Sequence, residues 1–231
     1  IEILDQFATE HDITYPLLSD ADSAVIKSFG IMNQLIDPDE GRSMRWHGLA
    51  YPGTYFVDTD GNITDKDFHR HHARRSSGAT VLARALGRPV ELAADVAAGA
   101  TNDEVDVRVG LSDPVLQLEV IATLAVDIEI PDGLHAYAPG APSQFTPLAI
   151  EVGGKGLRLG TPRWPEPALL DMTELDLTVP VLSGTVRVEF PVTVTSELVR
   201  LGHEITEDAL DIDVSVTTQL CDEVACGLPQ Q

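Results

Sequence analysis

Hydrophobic and polar positions change rhythm partway along the chain. Residues 1–88 mix two periods. In "EILDQFATEHD" the apolar Ile3, Leu4, Phe7 and Ala8 recur at helical spacing and predict a helix with one buried face. "ITYPLLSD" predicts a short strand running into a turn. "DADSAVIKSFG" predicts a helix opened by Asp20 or Asp22 and closed by Gly30. "GTYFVDTDGNITDKDF" predicts a hairpin. "SSGATVLARALG" predicts an amphipathic helix that starts at Ser76 or Ser77, with Val81, Leu82, Ala85 and Leu86 as its apolar stripe. Residues 89–104, "PVELAADVAAGATNDE", are small, acidic and aperiodic, and predict a linker. From 105 the period becomes two. "VDVRVGL", "LQLEVIATLAVDIEI", "LHAYA", "PLAIEV", "LDLTVPV", "TVRVEFPVTVT" and "LDIDVSVTTQL" alternate or run β-branched, with Pro and Gly between them. Short strands at this spacing predict a β-sandwich over 105–231. The fold class expected is thus α/β followed by all-β.

Composition narrows the partners. The 231 residues suffice for one large or two ordinary domains. Acidic residues number 37 against 15 basic, a net charge of −22. Such a field repels phosphates and argues against nucleic acid or an anionic membrane surface as partner. No apolar run reaches bilayer length and no signal peptide is visible. The chain begins at Ile1, not Met, and is expected to be a fragment or a processed form.

Two clusters invite metal readings. "DTDGN" at 58–62 has its Gly at the fourth position, and no Glu follows at the twelfth, so an EF-hand loop is disfavoured against a hairpin turn. "HRHHARR" at 69–75 brings His69, His71 and His72 together with no carboxylate or thiol placed to complete a zinc set. It reads as a solvated basic stretch. No metal and no cofactor is expected.

"FATEHDITYPLLSDADSAVIKSFGI" followed by "YPGTYFVDTDG" resembles the C-terminal half of an AhpC/TSA-type redoxin, which has a thioredoxin-like fold. The matching positions are Tyr15, Pro16, Leu17, Leu18, Ser19, Asp20, Phe29, Gly30, Pro52, Gly53, Thr54, Asp58 and Gly61. The resemblance covers about 1–88 and implies a cis Pro52 at the edge of a redox site. It also implies a catalytic cysteine upstream, and residues 1–88 contain none. This part is therefore expected to be a partial domain without its chemistry, with exposed apolar surface and low stability.

Both cysteines, Cys221 and Cys226, lie in "TTQLCDEVACGLPQQ". Spacing alone leaves three readings open. A staple closing so short a loop stabilises by roughly 2 kcal/mol. A zinc site would need His135 or His203 to complete it, and nothing in the spacing points to them. A redox pair at a hairpin tip fits disulfide geometry and is open to attack.

"VSVTTQLCDEVACGLP" is similar to the active hairpin of the DsbD N-terminal domain, a disulfide corrector, at Gln219, Cys221, Asp222, Glu223, Cys226 and Pro229. "IPDGLHAYAPGAPSQFTPLAIEV" resembles that family's early region at Gly133, His135, Tyr137 and Pro147. The resemblance covers about 105–231 and implies an immunoglobulin-like sandwich, an exchange-active Cys221–Cys226 pair, and a shielding loop with aromatic residues. Cys226, beside Gly227, is expected to be the exchanging sulfur, with Cys221 resolving. Asp222 and Glu223 are expected to raise the thiol pKa values, and Tyr137 is a candidate neighbour. Thioredoxin-like or membrane thiol proteins are the implied partners, in the periplasm or another extracytoplasmic space, with the cytoplasm left open. The family has one further strand after the Cys turn, expected to be missing here. The competing expectation is a peroxiredoxin-type antioxidant enzyme whose catalytic Cys lies upstream, with the sandwich as a binding module carrying a structural disulfide.

Overall fold

The computed structural model describes residues 2–37, 39, 46–93, 97–101, 105–172, 176–195, 209–222 and 224–231. The chain divides into two compact units, Ile1–Arg74 and Arg75–Gln231.

The first unit is α/β. Helix α1 spans Glu2–Glu10 and buries no residue. The segment 13–20, expected to hold a strand, forms none, because no described strand lies beside it to complete a ladder. Helix α2, Ala24–Ser28, is held by both candidate caps. Asp20 accepts from the N–H groups of Val25 (3.1 Å) and Ile26 (2.8 Å), and Asp22 from that of Ala24 (3.3 Å). Strands β1, Gly53–Val57, and β2, Ile63–Phe68, form the expected hairpin. Its turn is closed by the Asp58 carboxylate, which accepts from the N–H of Asp60 (3.0 Å) and Asn62 (2.8 Å), with Gly61 at φ 86°. Gly53 has to be glycine: an added Cβ would collide with the Phe68 ring. The peptide bond before Pro52 is trans, against the expectation of a cis bond. Trans is the default state of an X–Pro bond, and here the Pro52 carbonyl accepts from the His69 N–H (2.9 Å).

The second unit is a two-layer sandwich. One sheet contains β4 (Ala97–Thr101), β5 (Asp106–Leu111), β6 (Val120–Glu129), β12 (Thr185–Val194) and β9 (Leu157–Leu159), in that order. The facing sheet has the order β10 (Ala168–Met172), β11 (Leu177–Leu182), β7 (His135–Tyr137), β14 (Leu220–Cys221). A separate pair joins β8 (Ala149–Gly153) to β13 (Asp213–Thr217). Alternate residues of each layer point inward. Leu124, Val126 and Ile128 of β6 and Val186, Val188 and Val192 of β12 meet Ala136 of β7, Leu182 of β11 and Leu220 of β14 in one closed core. On the core sheet's other face, Arg187 and Asp127, directly opposite across β12 and β6, form a two-pronged ion pair at 2.6 Å.

The division falls earlier than the change of texture suggested. Strand β3, Arg75–Ser76, pairs parallel with β6. Helix α3, Gly78–Ala85, follows, capped by Ser77, whose Oγ accepts from the Thr80 N–H. Thr80 and Thr123 share a hydrogen bond of 3.0 Å between their hydroxyls, which fixes α3 on the sandwich. That contact also decides its buried face. Thr80 and Ala83 are buried, whereas Leu82 and Leu86 of the expected stripe are exposed. The expected linker is partly ordered structure: Val90 is buried, its carbonyl accepts from Arg187 (3.3 Å), and β4 pairs with β5 along its length. Residues 226–230 run back along 218–221. Cys221 faces Cys226, and Thr218 exchanges two backbone bonds with Gln230 at 2.9 and 2.8 Å. The tip is therefore a hairpin with a returning arm.

Candidate functional site

The four-stranded sheet turns its second face away from the main core, and a smaller cluster sits there. Alternation on β7 separates the two. Ala136 enters the main core, while Tyr137 points to the other face and meets Val179, Val181 and Cys221. The same holds on β14, where Leu220 goes to the core and Cys221 to the outer cluster. Residues 138–147, between β7 and β8, supply Ala141 and Phe145 as cover. Phe145 stacks on Tyr137 with ring centroids 4.3 Å apart. The loop thus covers Tyr137 and the buried side of the cluster, while Cys226 stays exposed. Phe145 itself carries no sequence signal, since it lies in an aperiodic stretch between Pro142 and Pro147.

Cys221 and Cys226 form a disulfide, with Cα atoms 4.0 Å apart. Their surroundings are unequal. Cys221 is 2% exposed, and Cys226 lies on the surface. The Tyr137 hydroxyl is 3.7 Å from Cys226 Sγ, and it is the donor, because a disulfide sulfur has no proton. Tyr137 is 2% exposed, and burial raises its pKa, so the hydroxyl keeps its proton. Beside Cys226, Val224 is 92% and Leu228 81% exposed.

Asp222 does more than carry charge. Its Oδ1 accepts from the N–H groups of Val224 and Ala225, both at 2.7 Å, and its own N–H donates to the Ala225 carbonyl at 2.9 Å. These bonds set the turn between the two cysteines. The N–H groups of Ala225 and Val224 hold the Asp222 carboxyl below its ordinary value, with a smaller contribution from His135. The Gln219 side chain donates to the Gly227 carbonyl (3.0 Å), tying the returning arm to the strand. Glu223 lies outside the described residues, as does His203.

His135, named in the sequence as a possible zinc ligand and as a position of the resemblance, was given no part in the exchange there. It pairs directly with Cys221 across β7 and β14, and its ring meets Tyr137 edge-on at 5.7 Å. Its Nε2 is buried and has no hydrogen-bond partner. Burial lowers its pKa below the ordinary 6.5, and the Asp222 charge pulls the other way. The alternation in "LHAYA" already put His135 and Tyr137 on one face. The strand register that sets them beside the cysteines was not visible in it.

Pro52 belongs to the first unit and the cysteines to the second. Tyr51, the neighbour of Pro52, lines a cavity of about 280 Å³ with Gly30, Met32, Phe68 and His69 among others, without a thiol. Among the described residues no three His, Cys, Asp or Glu side chains converge as a metal set, and both sulfurs are taken up in the disulfide. No described helix is long and apolar enough to cross a membrane.

Comparison with known proteins gives two kinds of match. The N-terminal periplasmic domain of ScsB from Proteus mirabilis is 15% identical, with a TM-score of 0.37, over 59% of this chain and 50% of that one. This chain thus spans half the length of that domain. The Neisseria meningitidis DsbD N-terminal domain in the reduced form is 20% identical, with a TM-score of 0.29, over 46% of this chain and 70% of that one. No curated protein matches the chain. Residues 2–66 match the sequence profile of the AhpC/TSA family, and the pattern read from Tyr15 to Gly61 lies inside that segment.

Proposed function

We propose that this chain performs thiol–disulfide exchange through Cys221–Cys226, with Cys226 as the sulfur attacked. The unequal exposure of the two sulfurs carries the reading: one is open at a hairpin tip, the other closed beneath it. A donor protein's thiolate adds to Cys226 Sγ. The intramolecular S–S bond breaks, and Cys221 leaves with the electron pair. The donor's second thiolate then attacks the mixed disulfide at its own first sulfur and releases Cys226 as thiolate. Two electrons have moved, and the donor is left as a disulfide. Tyr137 donates to Cys226 Sγ and so stabilises that thiolate as it leaves. Asp222, and Glu223 by its charge, oppose thiolate formation, which suits a relay more than a strong oxidant.

A purely structural bridge is less well supported, because the tip is already held by backbone bonds and by the Asp222 turn. Peroxide chemistry of the AhpC/TSA kind has no thiol within residues 2–66. The partners are thioredoxin-like or membrane thiol proteins. The location is extracytoplasmic, where an accessible disulfide persists.

The deciding experiment is the reduction potential of the pair, measured by equilibration against glutathione and thioredoxin couples. A value of roughly −270 to −120 mV supports exchange. A value below about −300 mV identifies a structural bridge and overturns the reading.

A further inference from the structure

The exchange reading leaves one step without a group to perform it. When the reduced pair passes electrons to an oxidised protein disulfide, Cys226 attacks first and forms the mixed disulfide. Cys221 must then lose its thiol proton before it can attack Cys226. Cys221 is 2% exposed, so water has little access to that proton, and a bare thiolate there is costly. A base has to be built into the fold.

We propose that His135 is the proton acceptor for Cys221 in the resolving step of the exchange, an inference that rests on the exchange reading above. Three observations converge on it. His135 is directly opposite Cys221 in the β7–β14 pair, so both side chains rise from the same face of the sheet. Directly opposed residues hold their Cβ atoms about 4.5–5.5 Å apart, within reach of an imidazole and a thiol. The His135 Nε2 is buried without a hydrogen-bond partner, a costly condition for a ring nitrogen unless it has a use in another state of the site. Asp222 is the charged group acting on His135, and it stands ready to balance an imidazolium. Among the described residues the other titratable groups facing it are Tyr137, edge-on to the ring, and the cysteines themselves.

The step balances. The proton on Cys221 Sγ moves to His135 Nε2. The Cys221 sulfur forms a bond to Cys226 Sγ, and the bond from Cys226 to the acceptor protein breaks. The acceptor sulfur leaves with the electron pair as a thiolate, and the imidazolium gives up its proton to solvent or to that thiolate. In the reverse direction the same imidazolium protonates Cys221 as it leaves. Burial favours the neutral ring, which is the form able to accept a proton at neutral pH.

The test uses the full chain, reduced and mixed with 5,5′-dithiobis(2-nitrobenzoate). The first release of thionitrobenzoate reports attack by Cys226, and the second reports resolution by Cys221. His135→Gln is expected to leave the first phase unchanged and slow the second by about 100-fold at pH 7. In the unsubstituted protein the second phase should level off between the imidazole and thiol titrations. Without a base its rate would climb tenfold per pH unit up to the thiol titration. An unchanged second phase in His135→Gln, or an unbroken climb in the unsubstituted protein, overturns the proposal. The pH profile decides even if the variant fails to fold. Absence of the first phase would instead sink the exchange reading, and with it this inference.

Discussion

The two units meet the same requirement, burial of apolar side chains, with opposite success. Among the described residues of the first unit only Phe56 and Asn33 are buried. Ile3 is 81% exposed and Leu18 89%, and α1 fully buries none of its apolar residues. The second unit closes Leu124, Val126, Ile128, Val186, Val188 and Val192 between two layers. Local signals are equally clear in both. The Asp58 turn and the Asp20 caps are as well formed as the Ser77 cap. The difference teaches that caps and turns place an element, while only a second layer makes it stable.

The largest test of that contrast is a pair of truncations. Leu124→Ala should cost the second unit about 3 kcal/mol, as a buried leucine in a closed core does. Leu18→Ala should change the first unit by less than about 0.5 kcal/mol. Urea titration followed by tryptophan fluorescence measures the first effect, because Trp164 packs on the core. Far-UV circular dichroism follows the second. Equal costs at the two sites would break the comparison.

The disulfide gives the next effect. Its loop is short, so Cys226→Ala should lower stability by no more than about 2 kcal/mol on the chain-entropy account. The sandwich should still unfold cooperatively, since its core does not depend on the tip. Thermal melts of the variant and the unsubstituted protein make the check. A collapse well beyond that figure would mark the bridge as the second unit's staple and weaken the exchange reading.

How far the chain could be read follows from the kind of signal each feature leaves. Strands β5, β7, β8, β11, β12 and β13 were legible from alternation or β-branched runs, and β6, buried on both faces from Ala122 to Val126, from its long apolar run. Strand β4 was not: "AAGAT" offers no alternation, and its order comes from pairing with β5. The stripe of α3 was misjudged because two hydroxyls, Thr80 and Thr123, outbid leucine for the buried side. At the site, the cysteines and Tyr137 stood out by spacing and resemblance. The place of His135 beside Cys221 and the part of Phe145 did not, because they rest on cross-strand register and a folded loop. Neither can be computed from neighbours in sequence.

Ser77→Ala tests where the units divide. The Ser77 hydroxyl caps α3 and donates to Thr80 Oγ1 at 3.1 Å, and Thr80 binds Thr123 on β6. Loss of the cap should cost about 1 kcal/mol. That cost should appear in the Trp164 transition of the second unit. If Trp164 unfolding were unmoved, α3 would belong with the residues before it, and the boundary at Arg74 would be wrong.

The smallest expected effect is the pH dependence, and it separates the units by sign and window. In the second unit His135 has a pKa lowered from 6.5 by burial, so the unfolded chain binds its proton more readily. Its contribution is therefore fully present above about pH 6.5 and is lost as pH falls through the folded value. In the first unit Asp20 and Asp58 are lowered from 3.8, chiefly by the backbone N–H groups of Ile26 and Asn62. Their contribution is present above about pH 3.8 and is lost only as pH falls through their folded values. Asp222 places a similar acidic step in the second unit. Mild acid, below pH 6.5 but above the ordinary carboxylate value of 3.8, should thus weaken the sandwich while sparing the hairpin and α2. Chemical denaturation at a series of pH values, with Trp164 as the probe, should show a decline that begins near neutrality in the unsubstituted protein. In His135→Gln it should be absent, leaving only the step below about pH 4. A decline of the same size in both proteins would assign the mild-acid loss to another group and remove the buried imidazole from the account.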